Sequence, residues 1–572
     1  MRLRAIVGLL VIAGGVIVFR LVSLQFGSAR PYFEELADTV TSVPVVVEAP
    51  RGRIFDRDGQ LLATNAVHYE IGVSPRFVTD PEAISAVLSD VLNRSVLEIR
   101  ELVELHDDAQ GNPILYELLA RPVSAEIGQQ LIEMLNDLEG PDLGGLAVTP
   151  MSLRTYPAGS LAAHVIGFVG YDNEGYYGVE GFYDGILAGH AVRGTESVVP
   201  FDVSFDPDPD QGNDIYLTLD REVQYLAEET IVNALAQYGG VSGSILIMDP
   251  RTGEILAMAT WPSFDPNDLN NLLREAEGLR RNPLIGDQFE PGSTFKVLTM
   301  AAALESGKFS PQSTYVDNGV LEYGGAIIRN WDGVAWGLQD MTGLLQHSLN
   351  VGAATLSTSL GPKDFYSYLN AFGVGHRTNI DLAGEETGRL KSPGDPDWFE
   401  SDLATNAFGQ GVATTPLQLL TAISAVANNG AMMQPHILKR VADTDSSYET
   451  QPQVMGRPIS PEVAQTLTEM LATSLKEEAS DALVPGYGIT GKTGTAQIPT
   501  LYGYDPVHTI ATFIGWGPTD DPRFIVLIKL DKPTASPWGS TTAAPIFGQM
   551  VKRLVVLMEI PPDNVRHELT AQ

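Results

Sequence analysis

The chain begins with a strongly apolar segment, which constrains the fold because such a segment has to be buried in lipid or removed. Arg2 and Arg4 precede a run of fifteen apolar residues, Ala5 to Phe19. A helix of this length spans about 22 Å, which is less than a hydrocarbon core of about 30 Å. The required length is reached at Phe26 if Arg20 lies near the outer interface and extends its charge into water.

Two fates of this segment are compatible with its composition. A cleavable signal peptide needs small residues in an alternating pattern just after the apolar run, and no convincing site of this kind follows. We therefore expect a retained membrane anchor. Basic residues before the segment and an acidic balance after it place residues 27–572 outside the cytoplasm.

The composition excludes several classes of function. A length of 572 residues predicts two or three domains, and the formal net charge of −35 argues against a nucleic-acid partner. The chain has no cysteine, which excludes disulfides, cysteine-ligated metals and thiol catalysis. The nine histidines show no metal-ligand spacing, so we expect neither a metal nor another cofactor.

The first third of the chain shows several changes of pattern. Residues 51–59 predict a charged strand and turn, and residues 80–140 show apolar residues at helical spacing. An apolar run over residues 162–169 predicts a strand, and the glycine-rich residues 170–189 predict turns rather than a helix. Residues 201–213 alternate aspartate and proline without apolar periodicity, which is typical of a linker.

The remainder predicts a larger mixed domain. Residues 214–219 predict a strand, followed by a helix over residues 221–238 with Asp220 as its N-cap. Residues 244–259 predict a β-hairpin, and residues 509–530 predict a second pair of strands. Long helical patterns lie between these pairs. The expected fold class is therefore α+β, with a central antiparallel sheet covered by helices.

A serine and a lysine at helical spacing are the first candidates for catalysis. Ser293 precedes an apolar helix that is predicted to end near Gly307, so it lies where free N–H groups favour developing negative charge. Lys296 follows three residues later and can reach the serine oxygen. A buried lysine with a depressed pKa can be the base that a serine nucleophile requires. Alone, the pattern S-x-x-K equally describes an N-cap serine followed by a surface lysine.

The second motif is S-x-N, formed by Ser348, Leu349 and Asn350. Two side chains at this spacing diverge on a helix, so a joint role requires a tight connection between two helices. Such a connection could direct both polar side chains into a cleft. Taken in isolation, ordinary helix polarity is the simpler explanation of this motif.

The third motif is K-T-G, formed by Lys492, Thr493 and Gly494 and followed by Thr495. Its small and β-branched residues suit a strand beside a cleft, where glycine lets another backbone approach. The lysine offers a positive charge to a substrate carboxylate, and an exposed strand edge can pair with an extended peptide. A polar end of a surface strand is the alternative.

The order S-x-x-K, S-x-N, K-T-G on one chain is far more specific than any of its members. The chain resembles the class B penicillin-binding proteins, which are monofunctional transpeptidases, over nearly its whole length. Leu349 departs from the S-D-N form of the second motif, at a position that varies within that family. The segments that carry the resemblance are residues 51–59, 178–181, 290–296, 409–411, 415–418 and 492–497.

The resemblance implies a role for each motif residue. Ser293 attacks the D-Ala-D-Ala carbonyl of a stem peptide, Lys296 is the general base, and Ser348 relays the proton to the leaving D-alanine. Asn350 holds the substrate backbone, and the backbone N–H groups of Ser293 and Thr495 form an oxyanion hole. The third motif completes the substrate-binding surface, with its lysine and threonines on the terminal carboxylate: Lys492, Thr493, Gly494 and Thr495.

The resemblance also implies a β-lactam-sensitive enzyme of peptidoglycan synthesis, closer to division and sporulation types than to elongation types. An elongation-type transpeptidase, a D,D-carboxypeptidase or β-lactamase, and a non-catalytic scaffold of wall synthesis remain alternatives. The expected partners are stem peptides and β-lactams. Because no motif for sugar polymerisation is found, a SEDS-family glycan polymerase and other membrane proteins of wall synthesis are expected as well.

The apolar segment and the resemblance together imply four parts of a single-pass protein of the bacterial plasma membrane. Its catalytic domain is expected on the outer side of that membrane. The four parts are a cytoplasmic tip with its anchor (1–26), an elongated pedestal of the dimerisation type (27–205), a transpeptidase domain (206–560) and a C-terminal tail (561–572).

Overall fold

The computed structural model of the protein describes residues 2–26, 42–47, 49–104, 106–107, 111–137, 139–197, 210–274, 277–442 and 447–571. These residues form two compact units. Unit 1 comprises the described parts of Met1–Arg51 and Ala188–Gly212, and unit 2 those of Gly52–Leu187 and Asn213–Gln572.

The elements of the described residues are numbered in chain order. The helices are α1 (Arg2–Phe26), α2 (Pro81–Leu92), α3 (Val96–Val103), α4 (Ala125–Asn136), α5 (Ala163–Ile166), α6 (Gly178–Phe182), α7 (Asp184–Leu187), α8 (Arg221–Tyr238), α9 (Leu269–Arg274), α10 (Glu277–Arg280), α11 (Pro283–Gly286), α12 (Lys296–Glu305), α13 (Met341–Gln346), α14 (Asn350–Leu360), α15 (Pro362–Ala371), α16 (Glu400–Thr405), α17 (Pro416–Ala427), α18 (Pro461–Glu478), α19 (Ala543–Leu557) and α20 (Asp563–Thr570). The strands are β1 (Ser42–Val47), β2 (Ile54–Phe55), β3 (Leu61–Val73), β4 (Glu117–Ser124), β5 (Leu146–Thr155), β6 (Phe168–Val169), β7 (Gly175–Tyr176), β8 (Val192–Ser197), β9 (Asp214–Leu217), β10 (Ser242–Met248), β11 (Ile255–Trp261), β12 (Thr314–Asp317), β13 (Val320–Tyr323), β14 (Ala326–Arg329), β15 (Gly337–Asp340), β16 (Arg389–Leu390), β17 (Val412–Ala413), β18 (Met432–Met433), β19 (Leu438–Ala442), β20 (Ser447–Glu449), β21 (Val454–Gly456), β22 (Thr490–Thr500), β23 (Gly503–Gly517) and β24 (Phe524–Asp531).

Unit 1 contains the apolar helix α1 and a two-stranded ladder. α1 has 25 residues, and its segment Ile6–Ser23 has a mean hydropathy of 2.4, so the helix is long and apolar enough to cross a bilayer. β1 pairs with β8 in antiparallel register, with Ser42 opposite Ser197. This N-terminal helix fits the predicted single-pass membrane protein.

The central sheet of unit 2 has five antiparallel strands in the order β11-β10-β24-β23-β22. Both of its faces are covered. Ile245 and Ile247 belong to the apolar core around α8 and α19, whereas Leu246 and Met248 belong to the core around α12 and α17. This double burial explains the continuous apolar run in β10. The predicted strand pairs, the N-capped helix α8 and the α+β class are confirmed.

A second sheet in unit 2 joins strands from the early part of the chain to strands that follow residue 213. Its strands follow the order β20-β19-β9-β2-β3-β4, and β5 also pairs with β3. β2 runs parallel to β9, with Ile54 opposite Ile215. The carboxylate of Asp214 accepts a hydrogen bond from the backbone N–H of Arg53 at 2.7 Å. The charged stretch at residues 51–59 and the strand that follows the predicted linker therefore share one ladder.

Two predictions for residues 162–189 are wrong. Residues 162–169 form α5 and the short β6 rather than one strand, because Ala163–Ile166 is buried all round and such a run carries no period that separates helix from strand. Residues 170–189 contain α6 and α7 in addition to turns. Most of the predicted linker at residues 201–213 lies outside the described residues, which resume at residue 210.

A buried ion pair joins β5 to α6. Arg154 Nε donates to Glu180 Oε1 at 2.6 Å, and the two side chains are 1% and 0% exposed. Arg154 Nη1 also donates to Asn65 Oδ1 on β3 at 3.2 Å. Removing one partner of such a pair leaves the other charge buried without compensation, which costs far more than the pair contributes.

We expect Glu180→Ala to lower the free energy of unfolding by about 3–5 kcal/mol, because Arg154 would remain buried without its carboxylate. The matched control is Glu98→Ala, since Glu98 is 55% exposed in its pair with Arg94 and such pairs contribute about 1 kcal/mol at most. Urea unfolding of the purified full-length protein in detergent measures both. Similar losses of unfolding free energy in the two variants would mean that the Arg154–Glu180 pair is no more important for stability than an exposed ion pair.

Candidate active site

Ser293 lies in a turn that requires glycine beside it. The 3-10 turn Gly292–Phe295 leads directly into α12, whose first residue is Lys296. Gly292 has φ +59°, and a Cβ at this position would lie 2.9 Å from the carbonyl oxygen of Thr495. The turn therefore packs closely against β22. Ser293 does precede a helix, as predicted, but through a 3-10 turn in place of a first α-helical turn.

The amine of Lys296 lies at the centre of the site. Its Nζ is 3.0 Å from Ser293 Oγ, 2.8 Å from Asn350 Oδ1 and 3.2 Å from Ser348 Oγ. It also donates to the carbonyl oxygen of Ser348 at 2.5 Å. The Lys296 side chain is 1% exposed. The structure thus brings the first and second motifs together around one buried amine, with Ser293, Ser348 and Asn350 half-buried.

The connection between α13 and α14 places Ser348 and Asn350 on the same side. Ser348 has φ +53°, in the left-handed region, and α14 begins two residues later. Leu349 between them is fully buried in the hydrophobic core. This is the tight connection that a joint role requires. The apolar middle residue of the motif is a packing residue in this protein, which accounts for its departure from aspartate.

The third motif lies on β22, the edge strand of the central sheet. Lys492 is 1% exposed, and its Nζ donates to Ser348 Oγ at 3.1 Å. A Cβ at Gly494 would lie 2.2 Å from Thr512 Oγ1 and 2.9 Å from Thr294 Cγ2. Glycine therefore lets β22 contact both its neighbouring strand and the turn that carries Ser293.

Burial and a second cation determine the charge of Lys296. Burial lowers the pKa of Lys296 well below its ordinary value, because the ammonium form loses its hydration. The nearby charge of Lys492 lowers this pKa further, and Glu478 opposes the shift. A neutral amine can accept a proton from Ser293. The hydroxyl of Ser348, within 3.2 Å of both lysine Nζ atoms, can pass a proton onward.

A cleft of about 340 Å³ opens in front of Ser293. The sequence analysis missed its aromatic wall, in which Trp331 and Trp538 meet edge to face with ring centroids 5.2 Å apart. Trp336 stacks on His347 at 3.9 Å. No spacing pattern connects these residues, so only their position in the fold reveals them. The residues lining the cleft include Ser293, Trp331, Trp336, His347, Ser348, Glu477, Glu478, Thr493, Thr495 and Trp538.

Glu478 is the second feature that the sequence analysis missed. It is the last residue of α18, and one oxygen of its carboxylate accepts hydrogen bonds from both Lys492 and Thr493. Its side chain is 7% exposed. The one available signal was an acidic residue at a helix C-terminus, where the helix dipole disfavours negative charge. The helix end itself could not be located from the sequence.

Comparisons with known proteins identify the family of this chain. A family model described as the penicillin-binding protein transpeptidase domain matches residues 243–552, and one described as the penicillin-binding protein dimerisation domain matches residues 46–217. Stage V sporulation protein D of Bacillus subtilis is 34% identical over 97% of this chain and 86% of that protein. Peptidoglycan D,D-transpeptidase FtsI of Escherichia coli is 30% identical over 90% of this chain and 85% of that protein.

A solved structure shows the same fold. Penicillin-binding protein 3 of Mycobacterium tuberculosis, complexed with aztreonam, has a TM-score of 0.68 at 27% identity, covering 91% of this chain and 98% of that one. The central sheet and the three motifs together define a penicillin-binding transpeptidase domain. The chain belongs to the penicillin-binding proteins of class B, and to their division and sporulation type, as the sequence predicts.

We expect Lys296→Met to change how stability depends on pH. The pKa of Lys296 in the folded protein lies below its ordinary value of 10.5, so between these two values the unfolded chain binds more protons. The wild type should therefore gain stability relative to the variant as the pH rises through this window. The measurement is the difference in unfolding free energy between the two proteins at about pH 7 and about pH 9. A difference that does not change with pH would mean an ordinary pKa.

Proposed function

We propose that this protein is a membrane-anchored peptidoglycan D,D-transpeptidase of the division type, which cross-links stem peptides through an acyl-enzyme on Ser293. The observation that carries the proposal is the 3.0 Å contact between Ser293 Oγ and the buried amine of Lys296. The name of the Escherichia coli relative, peptidoglycan D,D-transpeptidase, supports the reaction. The order of the three motifs supports the serine mechanism.

In acylation, the neutral amine of Lys296 accepts the proton of Ser293 as Oγ attacks the carbonyl carbon of the D-Ala-D-Ala bond. The backbone N–H groups of Ser293 and Thr495 stabilise the oxyanion, and such donors contribute about 3–4 kcal/mol each in other enzymes. The C–N bond then breaks. The proton passes from Lys296 through the hydroxyl of Ser348 to the nitrogen of the leaving D-alanine, which leaves a neutral lysine and a serine ester.

The second half of the reaction reverses these roles. The amine of a second stem peptide enters the place that D-alanine has left and attacks the ester carbonyl. Its proton returns to Ser293 Oγ by way of Ser348 and Lys296, so a new peptide bond forms and the free serine is restored. β-Lactams would acylate the same oxygen, which agrees with the aztreonam complex of the Mycobacterium tuberculosis protein.

Substrate binding uses the edge of the central sheet. An extended stem peptide can add to β22, whose far side is already paired with β23. Lys492, Thr493 and Thr495 receive the terminal carboxylate, and Asn350 holds the substrate backbone. In this proposal the Lys492 side chain is a buried, fixed charge, which its 1% exposure supports.

The placement of the enzyme follows from its N-terminus. We assign residues 1–26 to the cytoplasmic tip and anchor, with residues 27–572 outside the cytoplasm. A pedestal (27–205), a transpeptidase domain (206–560) and a tail (561–572) complete the assignment. The matches of the two family models to residues 46–217 and 243–552 support the order of these domains.

We expect Ser293→Ala to abolish covalent labelling by a fluorescent penicillin while the protein remains folded. Without the hydroxyl no acyl-enzyme can form, and a small side chain that lines a cleft contributes little to stability. The matched control is Ser306→Ala, because Ser306 follows the far end of α12 and should leave labelling unchanged. In-gel fluorescence and mapping of the labelled peptide provide the readout.

Two outcomes of this experiment would change the proposal. Covalent labelling of Ser293→Ala would mean that another residue is the nucleophile. In the wild type the label should persist after free penicillin is removed, because a transpeptidase must keep water from the ester until an amine arrives. Rapid release of the label would favour a hydrolase.

We further propose that the protein works with a SEDS-family glycan polymerase and other membrane proteins of wall synthesis. The resemblance to class B penicillin-binding proteins supports this partnership. α1 offers a packing surface, since Gly8 and Gly15 lie seven residues apart and so share one side of the helix. Apart from its chain neighbours and the backbone of α1 itself, a Cβ at either glycine would meet no atom of the described residues within 4 Å. The charged stretch at residues 51–59 is a second candidate contact.

We expect the double substitution Gly8→Leu and Gly15→Leu to reduce the polymerase recovered with the protein in detergent several-fold, because leucine prevents close helix packing. Ile6→Leu with Ile17→Leu, on the opposite side of α1, is the matched control and should have no effect. Quantitative immunoblotting of the co-purified polymerase measures the result. If no polymerase co-purifies with the wild type, the partnership is wrong, while the transpeptidase assignment stands.

A further inference from the structure

Glu478 lies in the place that the transpeptidase proposal reserves for the substrate. Its Oε1 accepts hydrogen bonds from Lys492 Nζ and Thr493 Oγ1, which are two of the groups assigned to the terminal carboxylate of the stem peptide. The third group, Thr495 Oγ1, accepts a hydrogen bond from the N–H of Gly539 at 3.0 Å. The Glu478 carboxylate is therefore already bound to Lys492 and Thr493, which the proposal assigns to the substrate carboxylate.

Electrostatic repulsion makes it unfavourable for Glu478 and a substrate carboxylate to bind Lys492 at the same time. Lys492 and Glu478 are 1% and 7% exposed, so their ion pair is shielded from bulk water. Lys296, the other buried lysine near this ion pair, contacts Ser348 and makes no hydrogen bond to Glu478 among the described residues. A substrate carboxylate beside Lys492 would bring a second negative charge to a cation that is already paired with the Glu478 carboxylate.

Only one of the two carboxylate oxygens of Glu478 is hydrogen-bonded among the described residues. Its other oxygen, Oε2, is buried and has no hydrogen-bond partner among the described residues. The residue ends α18, where the helix dipole disfavours a negative charge. Among the described residues, Lys492 and Thr493 are thus the groups that retain the Glu478 side chain, which lines the open cleft.

We propose that Glu478 is an internal competitor of the substrate carboxylate, which occupies the Lys492–Thr493 pair in the free protein and leaves it when substrate binds. This inference rests on the proposed function, since it concerns the same carboxylate site. It assigns to Glu478 a role in specificity: a ligand must supply enough further contacts to displace an internal carboxylate. Small carboxylate anions, which offer no such contacts, would be kept out.

The test compares a ligand that carries the carboxylate with one that does not. The probes are benzylpenicillin and its methyl ester, and the measured quantity is the ratio of their second-order rate constants for acylation of the full-length protein. Glu478→Gln removes the competing charge, so the ratio should rise by about tenfold or more, near the lower limit for close charge pairs. The methyl ester, which carries no carboxylate, should acylate the wild type and Glu478→Gln at similar rates.

The matched control is Glu477→Gln. Glu477 lines the same cleft and is exposed, and among the described residues it forms no ion pair. The same change of net charge at this position should leave the ratio within about twofold of the wild type, because an exposed charge is well screened. Equal effects of the two substitutions would reduce the proposal to a general change of surface charge and overturn it.

The other outcomes are equally decisive. A parallel loss of both rate constants in Glu478→Gln, with an unchanged ratio, would show that Glu478 only holds Lys492 in position. If Glu478→Gln fails to fold, Glu478→Asp takes its place, since it keeps the charge but withdraws it by one methylene and should still raise the ratio. An unchanged ratio in that variant overturns the proposal. Absence of wild-type acylation by either compound would instead refute the proposed function.

Discussion

Two lysine amines are buried on either side of one serine hydroxyl in this protein. Lys296 and Lys492 are each 1% exposed, and Ser348 Oγ lies 3.2 Å and 3.1 Å from their Nζ atoms. Two full positive charges so close together, away from bulk water, would repel each other strongly. Burial and this repulsion lower the pKa of Lys296, and Glu478 compensates the charge of Lys492. The basicity of the site is thus a consequence of packing.

That packing depends on apolar residues that alternate with the functional ones. Phe295 and Val297 flank Lys296 in sequence and are fully buried. Their packing in the hydrophobic core fixes the backbone on both sides of the lysine. Leu349 does the same for the residues of the second motif. The third motif is positioned differently, because Gly494 has no side chain and so allows direct contact with the turn Gly292–Phe295.

Local patterns predicted those parts of the structure that local chemistry determines. The capped helix α8, the two strand pairs and the three motifs could all be read from the sequence, since each depends on residues close together in the chain. Residues 162–169 could not, because a short apolar run buried all round looks the same as helix or strand. The places of Glu478 and Trp331 in the cleft could not be predicted either, since they depend on where distant segments of the chain meet.

The parallel pairing of β2 with β9 bears on how the polypeptide can be divided. The predicted domain boundary falls between these strands in sequence, yet they are neighbours in one ladder. A fragment that starts at residue 206 would keep β9 and β19 but lose β2 and β3, which leaves a row of unpaired N–H and C=O groups open to any other strand. A fragment that keeps this ladder complete therefore has to include β2 and β3, which lie well before Ser293 in the chain.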